Sequence, residues 1–148
     1  MRALKFNQHL LTAIICLLAV MYIENIFAET TPESAIEHVI KKQWDKPDNP
    51  VLVSPIVIVD NAAVAGWSQG ARGGRALLKL DGGEWRVMFC GDVTLTHAAV
   101  LEQSGLTSDQ AIRISKELLA AEAKISTTQI NILDTFRGLM KVDAEHHH

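Results

Sequence analysis

The stretch GWSQGARGGRALLKLDGGEWRVMFCG, residues 66–91, decides the fold. Seven of the chain's nine glycines fall in it, clustered between short apolar runs, so it reads as three strands joined by two glycine turns. Residues 75–80 form a strand with Ala76, Leu78 and Leu80 on one face. Asp81-Gly82-Gly83 is a strong tight-turn signal. Residues 84–90 then return, with Trp85, Val87 and Phe89 expected on one face and Arg86, Met88 and Cys90 on the other. Gly70, Gly73 and Gly74 are expected to supply positive φ in the preceding turn.

Working outward, residues 51–59 are rich in β-branched side chains and read as a further strand. Pro55 lacks a backbone donor, which puts that strand at a sheet edge or breaks it. Asp60-Asn61 turns the chain into residues 62–68, which pair back. On the N-terminal side, Thr31-Pro32-Glu33 opens a helix whose Ile36, Val39, Ile40 and Trp44 recur at helical spacing. Pro47 and Pro50 end it.

On the C-terminal side, residues 95–103 predict a short helix ended by Gly105. Thr107 and Gln110 make a capping box for the next, with Leu106 stapling against Ala111. Ile112, Leu118, Leu119 and Ile125 are expected to face the core along it. Ser126 and Gln129 repeat the box before Ile130, Leu133 and Phe136, and Gly138 is expected to end that last helix. The fold class is therefore α+β: an N-terminal helix, a four-stranded antiparallel meander, then two to three C-terminal helices on one face of the sheet. Residues 139–142 are a candidate further strand.

With 148 residues there is room for one domain. Residues 1–28 differ in kind from the rest. Arg2 and Lys5 are followed by an apolar run at 10–23 and by Ala28, the order of a secretory signal peptide cleaved after Ala28. The run is 14 residues, against the roughly 20 needed to span a bilayer. The expected organisation is a leader (1–28), an α+β domain (29–142) and a histidine-containing tail (143–148). Loss of Arg2, Lys5 and Glu24 from 14 basic and 17 acidic side chains leaves 12 against 16. An acidic balance without a basic cluster argues against nucleic acid and anionic membrane surfaces as partners. Cys16 leaves with the leader, so Cys90 has no partner for an intramolecular disulfide.

The glycine loop at 66–75 lacks the lysine and hydroxyl of a nucleotide-binding loop and lies between strands, so turn chemistry accounts for it. Arg72 and Arg75 read as exposed hairpin charges, or as guides for an acidic partner. Cys90 is either a small buried hydrophobe or a metal ligand. Met88 on the same strand face and His97 just beyond would complete a thiolate, thioether and imidazole set suited to Cu(I). His146, His147 and His148 are a second candidate, for Cu(II), Ni(II) or Zn(II), unless they are a tag remnant or a solvated tail. His38 reads as a surface residue. No serine or cysteine is flanked by a plausible base motif, so the expectation is a non-enzyme.

The meander resembles that of the copper uptake system-associated proteins, a family of small secreted proteobacterial proteins. The matching residues are Trp44-Asp45-Lys46-Pro47-Asp48, Ala65-Gly66-Trp67-Ser68-Gln69-Gly70, Arg72-Gly73-Gly74-Arg75-Ala76-Leu77-Leu78 and Cys90-Gly91, with a close centred on Phe136 and a histidine-containing end. The resemblance implies a periplasmic accessory of copper acquisition, partnered with a copper chaperone or an outer-membrane uptake protein. It carries no catalytic residues over, and the tail here is shorter and poorer in histidine than the family's. A rival expectation, from another class, is an interaction module whose meander docks a partner protein and binds no metal.

Overall fold

A computed structural model describes residues 30–142. The expected leader and the tail histidines His146, His147 and His148 lie outside the described residues. The architecture is α+β: one helix, a five-stranded antiparallel sheet and a C-terminal helical layer.

Helix α1, Pro32–Trp44, starts where Thr31 Oγ1 accepts the Ser34 N–H at 3.2 Å. Ile36 and Ile40 are its buried stripe, with Val39 and Trp44 beside them. Its exit is fastened twice. Asp45 Oδ1 accepts the Val51 N–H at 2.6 Å, and Gln69 Nε2 donates to the carbonyls of Trp44 and Asn49 at 2.9 and 2.8 Å. These bonds hold the proline loop against the end of the second strand.

The sheet comprises β1 (Val51–Val59), β2 (Ala62–Gln69), β3 (Arg72–Asp81), β4 (Glu84–Gly91) and β5 (Leu139–Lys141), paired in that order. The fifth strand lies beyond the expected four-stranded meander: Leu139, Met140 and Lys141 pair with Gly91, Cys90 and Phe89. Pro55 falls in a register shift on the edge strand β1, where its missing donor costs least. Asp81 pairs with Glu84 across Gly82 and Gly83, both at positive φ as a two-residue hairpin requires. Gly73 and Gly74 correct the expectation made for them. Neither has positive φ; a Cβ on them would come within 2.6 Å of the Trp67 carbonyl and 2.9 Å of Phe136 Cβ. They are glycines because other chain segments press against them.

Both faces of the sheet are buried. Along β2, Ala62 and Val64 join one core, with Leu77, Leu95, Ile114 and Leu118, while Ala63 and Ala65 join the other, with Ile36, Ile40, Leu78 and Trp85. The C-terminal helices α2 (Ala98–Gln103) and α3 (Ser108–Glu122) cover the first face and α1 the second. A 3-10 turn, Val93–Thr96, precedes α2 and interrupts the continuous helix expected over 95–103. The capping box of α3 forms in full.

The buried stripe of α3 runs through Ala111, Ile114, Leu118 and Glu122, not through Ile112 and Leu119, which are 60% and 53% exposed. A stripe that ends on a glutamate is invisible to apolar periodicity. It is held by polar partners instead: Gln110 Nε2 donates to Asn61 Oδ1 at 2.8 Å, and Glu122 meets Arg75. Helix α4, Thr127–Leu133, is capped by Ser126. Gln129 does not close a second box; its amide donates to Ser68 Oγ at 3.3 Å. The helix ends at Leu133, and Gly138 (φ 77°) serves the turn into β5.

In β4 the expected facing is overturned. Leu77 pairs with Phe89 and Leu78 with Val87, leaving Met88 as an extra residue. A bulge advances the two-residue alternation by one step. Cys90 consequently joins Trp85 and Val87 in the α1-side core, and Phe89 packs on the α3 side.

Candidate functional site

The bulge and the fifth strand together build a small cleft on the α1 side of the sheet. Its lining is Ile40, Trp44, Val51, Trp67, Gln69, Cys90, Phe136 and Met140, and its volume is about 80 Å³. A water molecule's share of liquid volume is roughly 30 Å³, whereas drug-sized ligands occupy pockets of roughly 300–1,000 Å³. The cleft therefore has room for an ion or a side-chain tip and not for a sizeable organic substrate.

The outer wall, residues 134–142, is strapped to the body at several points. Phe136 N–H donates to the Gly73 carbonyl at 3.0 Å, and Gly73 N–H donates to Thr135 Oγ1 at 2.9 Å. Phe136 meets Trp67 edge-on, with ring centroids 6.0 Å apart and planes at 82°. Asp92 Oδ2 accepts the Gly138 N–H at 3.0 Å. The Thr94 N–H, at 2.9 Å from Asp92 Oδ1, holds this carboxyl below its ordinary range, helped by Gly138 and by the charge of Arg75.

Beneath the strap lies Arg75, and the expectation of an exposed hairpin charge is wrong for it. Its side chain is 1% exposed. Nε and Nη2 donate to the two carboxylate oxygens of Glu122 at 2.7 and 2.8 Å, and Nη1 donates to Asp134 at 2.9 Å. Burial opposes its charge, but the bonds to Glu122 and Asp134 outweigh it, so its pKa lies above the ordinary value. A forked guanidinium with two carboxylate partners joins β3, α3 and the start of the strap at one point. Arg72, by contrast, is exposed as expected.

Cys90 sits at the floor of the cleft, a free thiol 4% exposed. Burial among aliphatic and aromatic groups pushes its pKa up to about 11. Without a metal, it is expected to be alkylated by iodoacetamide at pH 8 a few hundredfold more slowly than an exposed cysteine of pKa about 8.5. Intact-mass spectrometry over time checks this; alkylation at the rate of a free thiol would mean that the floor is open.

The other residues singled out from the sequence do not converge on Cys90. Met88 is half-buried and absent from the cleft lining. His97 is exposed and joins the 3-10 turn to α2, whose Leu95 and Leu101 belong to the α3-side core, whereas Cys90 belongs to the α1-side core. No group of three or more histidine, cysteine, aspartate or glutamate side chains assembles among the described residues. His38 is exposed on α1. Sequence reasoning missed Met140, which stands directly opposite Cys90 on β5, and the two indoles of the cleft, Trp44 and Trp67. Only the pairing of a three-residue strand brings Met140, 50 positions along the chain, opposite Cys90, and no local pattern announces it. Trp67 Nε1 is buried and finds no acceptor among the described residues.

No family model, curated protein or solved structure matches this chain. No helix among the described residues is long and apolar enough to cross a membrane.

Proposed function

We propose that the protein is a non-enzymatic, periplasmic copper-handling accessory, exported by its N-terminal leader, that binds or passes copper or assists a chaperone or uptake protein that does. The observation that carries this is the chemistry of the cleft. Its lining offers a thiol, a thioether, two indoles, a phenyl ring and the Gln69 amide, whose nitrogen is bonded to the Trp44 and Asn49 carbonyls, and neither carboxylate nor imidazole. Hard divalent ions seek oxygen ligands and Cu(II) seeks imidazole; a thiolate serves Zn(II) as well as Cu(I), and it is the thioether beside it that favours Cu(I). Cys90 is the one group in that lining able to supply a thiolate. The volume of the cleft suits an ion. The rival reading, a docking module, would have to use a sheet edge or an outer helix face, because helices cover both faces of the meander.

The full-length protein, titrated anaerobically with Cu(I) against a chromophoric Cu(I) chelator, is expected to withdraw the ion, and removal of residues 143–148 to leave most of that capacity. Failure of the intact protein to compete would leave the docking module as the better reading. Loss of capacity on truncation alone would keep copper handling but move it from the cleft to the tail histidines.

A further inference from the structure

The geometry points to a two-sulfur Cu(I) site formed across the β4–β5 ladder by Cys90 and Met140, with the thioether at the mouth of the cleft and the thiolate at its floor. This rests on the copper-handling reading above and names the ligands. Cys90 and Met140 are partners in the antiparallel register and both line the cleft. Directly opposed residues in such a ladder project to the same face, with Cβ atoms roughly 4.5–5.5 Å apart. A thiol and a thioether therefore stand on the same side of the ladder and line one cleft, where two soft donors can approach a single ion.

Exposure separates the two roles. Met140 is 53% exposed and Cys90 is 4% exposed. The thioether meets the ion in solvent, and the thiolate takes it into the apolar interior. In the binding step Cu(I) remains Cu(I). Met140 Sδ donates a lone pair, the Cys90 S–H bond breaks as the Cu–S bond forms, and the proton leaves to buffer. Thiolate and ion then neutralise each other, so the loaded floor carries no net charge, which suits its apolar surroundings. The indoles of Trp44 and Trp67 line the same space.

The site draws on three features of this corner of the fold. A large apolar side chain, Met140, is left half in solvent on a strand of only three residues. The one free thiol among the described residues stands directly across from it. The bulge at Met88 is what turns Cys90 toward this side of the sheet.

The test compares full-length native protein with Met140→Leu, Cys90→Ser and Met88→Leu in anaerobic Cu(I) competition. Met140→Leu is expected to weaken Cu(I) binding roughly tenfold or more and Cys90→Ser roughly 100-fold or more, given that even outer-shell partners of a metal are typically worth 10–100-fold. Met88→Leu is expected to bind as native. Ultraviolet thiolate-to-Cu(I) absorption should appear on loading in native protein and Met88→Leu and be absent in Cys90→Ser. Tryptophan emission should be quenched wherever the ion binds. Met140 is exposed and leucine is close to it in volume, so this variant tests the ligand without disturbing the core. Native affinity in Met140→Leu, or thiolate absorption surviving in Cys90→Ser, overturns the site. If Cu(I) binds but is indifferent to both sulfurs, the site falls and copper handling stands. If no form binds Cu(I), both fall together.

Discussion

Arg75→Ala is expected to destabilise the protein by about 3–5 kcal/mol, the range for removing one partner of a buried ion pair. Glu122 is 8% exposed, and the substitution removes the cation that its carboxylate pairs with among the described residues. The loss of the bidentate bond is the smaller part; the stranded charge is the larger. Arg75→Lys is expected to recover little, because an ammonium cannot present three donors in one plane to Glu122 and Asp134 together. The double variant Arg75→Met/Glu122→Leu should recover much of the deficit, since no buried charge is then left alone. Asp134→Asn should cost far less, its side chain being 40% exposed and screened by water. Urea unfolding of the four variants measures this. A loss under about 1 kcal/mol for Arg75→Ala would mean that the pair is solvated and not the clamp described.

Ile36→Ala is expected to cost about 2–5 kcal/mol, the range for truncating a fully buried aliphatic side chain. Ile36 is completely buried between α1 and the second face of the sheet, against the layer that includes Ala63, Ala65 and Leu78. Were only one face of the meander covered, α1 would be peripheral and the substitution cheap. Leu119→Ala is the matched control. That leucine is 53% exposed on α3, and its loss should fall within about 0.5 kcal/mol of native. Urea midpoints at constant m-value decide the matter; equal costs for the two substitutions would contradict the two-faced sheet.

Much of the fold is legible in the chain. The turn at Gly82-Gly83, the proline stop after Trp44 and the capping box at Thr107 are local devices, and each acts where local chemistry puts it. Two-sided burial also left a trace, since residues 62–67 read AAVAGW with no polar alternation. The stripe of α3 was misread because Glu122 is a core residue only by virtue of Arg75, which is 47 positions away. Gly73 and Gly74 look like turn glycines because composition cannot distinguish a bend from a close approach. Of the candidate site, Cys90 was legible as a candidate thiol, while its surroundings were not.

What the sequence determined by itself is what short-range physics controls: the helix starts and stops, the hairpins, the α+β class and the presence of a thiol at Cys90. Only the tertiary structure decided which way that thiol points. One extra residue at Met88 shifts the strand's alternation, so Phe89 goes to the α3 side and Cys90 to the α1 side. Only tertiary pairing brought Met140 opposite Cys90 and buried Arg75 between two carboxylates. These outcomes depend on register and on partners dozens of residues apart. A local pattern carries no record of either, because the free energy that selects them appears only when the layers close.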